Sequence, residues 1–245
     1  DVIVTDDEDP TITCALPAAS YTADAGECYY TVTGTALDPT ATDDNCGVLS
    51  IINNYNSTST LAGAQFPVGT TTVIWTITDI HGNDATCQYD VIVTDDEDPT
   101  ITCALPAASY TADAGECYYT VTGTALDPTA TDDNCGVLSI INNYNSTSTL
   151  AGAQFPVGTT TVIWTITDIH GNDATCQYDV IVTDDEDPTI TCAVPAASYT
   201  ADAGECYYTV TGTALDPTAT DDNCGVLSII NNYNSTSTLA GAQFP

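Results

Sequence analysis

The sequence predicts an all-β fold of tandem sandwich domains joined in an elongated rod, and three observations carry that prediction. An 89-residue unit recurs at Cys14, Cys103 and Cys192, and its only change is Leu16 and Leu105 becoming Val194. Within each unit, apolar residues alternate with polar ones in short runs rich in Thr, Val, Ile and Tyr, and no 3.6-residue period is present. Four cysteines recur per full unit, at Cys14, Cys28, Cys46 and Cys87 in the first.

Taken in chain order, the predicted strands are Pro10 to Cys14, Cys28 to Thr35, Val48 to Tyr55, Thr72 to Ile77 and Cys87 to Val93. Pro, Gly and Asp clusters separate them, which is the turn chemistry of an antiparallel fold. Alternation places Val73, Trp75 and Ile77 on one face of the fourth run, and Cys87, Tyr89, Val91 and Val93 on one face of the fifth. Between these two, Asp79-Ile80-His81-Gly82-Asn83-Asp84 supplies a hairpin turn. Strands this short in a unit of this size suggest an immunoglobulin-like sandwich of two antiparallel sheets, with Trp75 and Trp164 in the core.

Domain boundaries follow from the period: residues 1–5 as the last strand of a preceding repeat, 6–94 and 95–183 as full repeats, and 184–245 as a partial third. Asp1-Val2-Ile3-Val4-Thr5 matches the close of the other copies, and the last copy stops at Phe244-Pro245, so a longer tandem array is expected. The connection through Asp95-Asp96-Glu97-Asp98-Pro99 contains no Gly or Ser tract and reads as stiff.

Charge narrows the function. The chain has 34 acidic residues and no Lys or Arg, a formal net charge of −34. Such a chain has no side chain to neutralise phosphates or to attach to an anionic leaflet, which excludes nucleic acid as a partner. No apolar run reaches the roughly 18 residues of a membrane span. The regular cysteine count reads as disulfides formed in an oxidising, extracellular or cell-surface compartment. Zinc is the weaker reading, because no Cys-x-x-Cys pair exists.

Asp43-Asp44-Asn45-Cys46-Gly47, then Phe66-Pro67-Val68-Gly69-Thr70-Thr71-Thr72-Val73, then Thr78-Asp79 and Gly82-Asn83-Asp84-Ala85-Thr86-Cys87 recur in fixed order, and they resemble the hyalin repeat (HYR) family. Cys14 departs from the family in being followed by Ala15-Leu16-Pro17, and Asp43-Asp44 doubles an acid that is usually single. The resemblance implies an extracellular immunoglobulin-like module of matrix or surface structures. It also implies disulfides Cys14–Cys28, Cys46–Cys87, Cys103–Cys117, Cys135–Cys176 and Cys192–Cys206, leaving Cys224 to a partner beyond residue 245.

In an immunoglobulin-like sandwich the acidic loops collect at the poles where repeats meet. Ca²⁺ is the expected cofactor, since hard carboxylate oxygens from several loops are its preferred donors and crowded acids need a cation. The candidate ligands are Asp6, Asp7, Asp9, Asp43, Asp44, Asp79 and Asp84 around the first repeat's entry. At the next boundary they are Asp24, Glu27, Asp95, Asp96, Asp98, Asp132, Asp133, Asp168 and Asp173, with Asp127 in the same mapping. Asp184, Asp185, Asp187, Asp221 and Asp222 follow in the third repeat.

No catalytic constellation is present. His81 and His170 read as solvated turn residues, no Gly-x-Ser-x-Gly elbow occurs, and no cation is available for an oxyanion. The Asn-Ser-Thr sequons at Asn56, Asn145 and Asn234 are acceptor patterns whose use depends on the host. The expected function is a disulfide-stapled, calcium-rigidified fibre or stalk whose partners are further repeats and lateral copies in a filament. The alternative is a multivalent adhesin, binding glycan or protein through aromatics such as Tyr29 and Tyr55.

Overall fold

The computed structural model describes residues 1–42, 46–132, 135–220 and 224–245. Among these residues every regular element is a strand, and none is a helix. The chain separates into two compact units. The first holds Asp1–Thr102, Thr129–Ile140 and Thr165–Thr175; the second holds Cys103–Pro128, Ile141–Trp164 and Cys176–Pro245. The first unit therefore contains the whole boundary between the first and second sequence repeats.

In the first repeat the strands are β1 (Thr11–Thr13), β2 (Tyr21–Thr22), β3 (Tyr29–Thr31), β4 (Thr40–Thr42), β5 (Val48–Asn53), β6 (Gln65–Pro67), β7 (Gly69–Asp79) and β8 (Asp84–Thr94). A four-stranded sheet runs β2-β8-β7-β5, and two-stranded pairs β3-β6 and β1-β4 complete the fold. The pairing of β5, β7 and β8 with the separate β3-β6 pair is that of an immunoglobulin-like sandwich. The second repeat has the same four-strand order, Tyr110–Thr111, Asp173–Thr183, Gly158–Asp168 and Val137–Asn142.

β7 and β8 form because their sequences alternate without interruption. They pair antiparallel from Gly69↔Val93 to Thr78↔Asp84, and Val73, Trp75, Ile77 and Val91 are fully buried along the shared inner face. Across the sandwich they meet Val32, Leu37, Leu61 and Phe66. Trp75 is the predicted core residue, and truncating such a side chain costs about 3–5 kcal/mol. β2, β4 and β6 escaped prediction; two or three residues are too few to show a period. β2 is tied down by parallel pairing of Tyr21 with Val93 on β8.

Three polar devices close the loops. Asn53, nearly fully buried, accepts on Oδ1 from the N–H groups of Tyr55 and Asn56, both at 2.9 Å. Asp38 accepts from the Thr60 hydroxyl at 2.6 Å and from the Leu61 N–H at 2.8 Å. Tyr89 accepts from the Trp75 indole N–H at 3.2 Å and donates its own proton to the Leu37 carbonyl. Burial holds the Tyr89 hydroxyl above its ordinary pKa, with the Trp75 bond pulling the other way and Asp38 adding to the rise.

The disulfides differ from the expected pairing. Cys14 joins Cys87, and Cys103 joins Cys176, each 73 residues apart. Cys28 joins Cys135, and Cys117 joins Cys224, each 107 residues apart. The expected Cys14–Cys28, Cys46–Cys87, Cys103–Cys117, Cys135–Cys176 and Cys192–Cys206 pairs are thus corrected, as is the assignment of Cys224 to a partner beyond the chain. The physical reason is topology: the end of β1 lies against β8, with Cys14 and Cys87 Cα atoms 5.7 Å apart. Sequence proximity of Cys14 and Cys28 carries no weight once the first strand must pack beside the last. Cys192 and Cys206 form no disulfide.

Candidate functional site at the repeat boundary

The boundary inside the first unit is built from a tight turn, an acidic connection and a hairpin tip. Asp24 to Cys28 makes the turn: the Glu27 N–H donates to the Asp24 carbonyl at 2.9 Å, and Thr31 N–H donates to Asp24 Oδ2 at 3.1 Å. Gly26 adopts a φ of 73°, a left-handed conformation that glycine reaches without a steric penalty. That conformation lets its N–H donate to Glu97 Oε2 at 2.8 Å, fixing the connection against the turn. Cys28, the last residue of the turn, then reaches Cys135. Within the second unit the same bond recurs from Gly115 N–H to Glu186 Oε2 at 2.8 Å.

Above this lies the hairpin tip of the second repeat. Asp168 is fully buried, and its Oδ1 accepts from the N–H groups of His170 at 2.8 Å, Gly171 at 2.6 Å and Asn172 at 2.9 Å. Its Oδ2 accepts from Asn172 Nδ2 at 2.8 Å. Asp79 does the same with His81 and Asn83 in the first repeat. Burial pushes both carboxyls upward, but the bonds from the turn outweigh it and leave each below the ordinary carboxylate pKa. Asp79 and Asp168 were assigned to calcium; their oxygens are committed to the turn.

The histidines are exposed residues of the hairpin turns, as the sequence reading has them, and each in addition meets a carboxylate. His170 Nδ1 lies 3.1 Å from Asp95 Oδ2, and His81 Nδ1 lies 3.2 Å from Asp6 Oδ2. Asn172 Nδ2 and Asn83 Nδ2 also donate to the carbonyls of Asp95 and Asp6, both at 3.4 Å. The Asp6 side chain is 19% exposed and the Asp95 side chain 2%. Seventy-five residues separate Asp95 from His170, so no local pattern signals the contact.

A cysteine completes each group. The donor atoms of Asp6, Cys46 and His81 lie within 4.8 Å of one another, and so do those of Asp95, Cys135 and His170. The Cys46 thiol hydrogen-bonds Asp6 and is the largest influence holding that carboxyl below its ordinary pKa, followed by the Glu8 N–H; burial opposes them and the His81 charge assists. Cys135 carries the disulfide to Cys28, and its Sγ lies 3.9 Å from the Glu27 carbonyl.

Among the other candidate ligands, Asp96 lines a cleft of about 290 Å³ with Asp95, Glu97, Thr22, Ala23 and Ala25. Asp132 accepts from the Gly136 N–H, and Asp95 Oδ1 accepts from the Glu97 N–H at 3.2 Å. Asp127 does not join the group; it accepts from Thr149 and Leu150, as Asp38 does from Thr60 and Leu61. Asp7, Asp9, Glu27, Asp84, Asp98, Asp173, Asp184, Asp185 and Asp187 are exposed. Asp43, Asp44, Asp133, Asp221 and Asp222 lie outside the described residues. Tyr55, proposed from sequence as a sugar platform, stacks on Phe66 at 4.3 Å and donates its hydroxyl to the Gln65 carbonyl.

Comparison with known proteins places these features in context. The HYR domain family matches residues 5–93 and 94–182. Hyalin of Strongylocentrotus purpuratus is 32% identical over 206 residues, covering 80% of this chain and 16% of that protein. Hyalin of Lytechinus variegatus is 31% identical over 163 residues, covering 63% of this chain and 28% of that protein. The chain thus spans well under a third of either relative. Among solved structures, a protocadherin gammaB7 EC3-6 fragment aligns with 89% of the chain and 62% of its own length, at 15% identity and a TM-score of 0.36.

Proposed function

The chain belongs to the HYR domain family, and from that premise we propose that it is the repeating segment of an architectural, load-bearing protein. It is extracellular, in keeping with its four disulfides and its hyalin relatives. The observation that carries the architectural reading is the second disulfide of each repeat. Cys28–Cys135 and Cys117–Cys224 leave their own repeat and bond the next one, so neighbours are joined by sulfur as well as by backbone. A domain that worked alone would close its cysteines on itself.

Ca²⁺ is the proposed stiffening ion. Support comes from Asp95, Asp96 and Glu97, which line one cleft with Thr22, Ala23 and Ala25, with Glu97 held to the Asp24–Cys28 turn through the Gly26 N–H; carboxylate oxygens are donors that Ca²⁺ takes. The remaining ligands belong to exposed acids nearby. Small-angle scattering of the chain before and after a calcium-selective chelator tests this. Increased flexibility with every domain still folded is expected; identical profiles would refute the ion. No catalytic role is proposed.

A further inference from the structure

Charge is spread unevenly over the repeat. Residues 47–78 contain no Asp, Glu or His, and the acids of the first repeat fall in two blocks on either side, Asp6 to Asp44 and Asp79 to Asp90. The neutral stretch holds β5, β6 and nearly all of β7. β5 is an edge of the four-stranded sheet, and among the described residues only β7 pairs with it. We propose that the open edge of β5, with the outer face of β5 and β7, is the surface on which a second copy of this chain docks, the same surface meeting itself.

That face is apolar. Ile51 stands opposite the fully buried Ile77, so alternation turns Ile52 and its partner Thr76 outward. Ile52 is 46% exposed, and Ile74, two residues from Thr76 along β7, shares its face. A bulge between Val48 and Ser50 leaves Leu49 out of the ladder and 66% exposed. Open edges are commonly blunted by Lys, Pro or inward-pointing charge. Val48-Leu49-Ser50-Ile51-Ile52-Asn53 has none of these. Leu138, Ile141 and Ile163 are exposed at the same positions of the second repeat.

Charge selects the partner. With 34 acids and no Lys or Arg, two copies repel wherever their carboxylates meet, and burying an unpaired carboxylate is costly. The outward carboxylates of this sheet, Asp84 and Asp90, are both on β8, beyond β7, and Asp90 accepts from the Thr72 hydroxyl at 2.7 Å. Asp79 is fully buried in its own turn. The surface that a second copy can bring here without a carboxylate is its own β5 and β7, which makes the contact isologous. A six-residue strand and its neighbour present less than the roughly 800 Å² per partner of a stable interface. Each contact is therefore weak, and recurrence in successive repeats supplies avidity. The architectural reading rests on bridges along one chain and stands even for a monomer.

Sedimentation equilibrium of the full chain, with accessible thiols alkylated, tests the surface in about 1 M NaCl, where the Debye length is about 3 Å. The weight-average mass is expected to rise from 25.5 kDa toward twice that value as concentration approaches about 1 mM. Leu49→Asp, Leu138→Asp and Leu227→Asp together should hold the chain at the monomer mass without lowering its thermal midpoint, because all three side chains are exposed. Leu16→Asp, Leu105→Asp and Val194→Asp add the same charge at exposed positions outside this sheet, and that protein should associate as the parent does. A parent that stays at the monomer mass, association that survives the first set of changes, or association lost equally from both sets would overturn the proposal.

Discussion

Cys28 is bonded to Cys135, 107 residues ahead, while Cys14, its nearest cysteine in sequence, bonds Cys87. Each of the two full repeats thus places one disulfide within itself and one on its neighbour. The internal bridge closes a loop of about 74 residues, for which loop entropy gives about 4 kcal/mol. The boundary bridge constrains the neighbours instead.

Cleavage follows from that division. A single protease site inserted after Asp96 and cut should leave both pieces migrating together on a non-reducing gel, held by Cys28–Cys135. Reductant, or Cys28→Ser without reductant, should release them. Release from the unreduced parent protein would show that the boundary bridge does not form.

Tyr89→Phe removes one hydroxyl that serves two groups, the Leu37 carbonyl and the Trp75 indole N–H. Orphaning them is expected to cost about 1–3 kcal/mol, read as a lower thermal midpoint. Tyr178→Phe should match it, since Tyr178 serves Leu126 and Trp164 in the same way.

Asp38→Ala should be as costly, because it strips the Leu61 N–H of a charged acceptor where Leu61 itself is fully buried. A loss of about 2–3 kcal/mol is expected, with Asp38→Asn recovering part of it. Denaturant unfolding of the three proteins measures the series; no loss in the alanine variant would show the loop to be held by other means.

Acid should loosen the hairpin tips first. Asp79 and Asp168 have folded pKa values below the ordinary 3.8, so their stabilisation is full above that value and is lost as pH falls through the lowered one. Asp6 is shifted the same way. The thermal midpoint is expected to hold until about pH 4 and then to drop. Asp79→Asn combined with Asp168→Asn should flatten that drop; an unchanged acid limb would mean that other carboxylates control it.

How much of this was legible follows from locality. Val73-x-Trp75-x-Ile77 and the turn after Asp79 declare a strand, its inner face and a hairpin within eleven residues. Tyr21–Thr22 carries no such signal, because its strand exists only through Val93 and Thr94 of β8. The cysteines were visible but their partners were not, since pairing depends on which strands become neighbours. The junction acids were foreseen as a group, yet their division into turn caps, a histidine partner and exposed remainder was not. Asp79, followed two residues later by His81 and then Gly82-Asn83, is the pattern of a carboxylate folding over its own turn, and it was open to that reading. His81 gave no hint of Asp6.

The two boundary bridges also decide what happens to slack under tension. Between Cys28 and Cys224 the backbone runs 196 residues, a contour of about 650 Å at full extension. The covalent short cut goes from Cys28 to Cys135, back along the chain for 18 residues to Cys117, and out to Cys224. That detour stretches to about 60 Å. Pulling force would therefore travel through the segment from Cys117 to Cys135 in reverse of the chain direction, and the rest of the second repeat would hang beside the load as an unstretched loop. Unfolding such a repeat by force releases almost no length until sulfur–sulfur bonds are reduced.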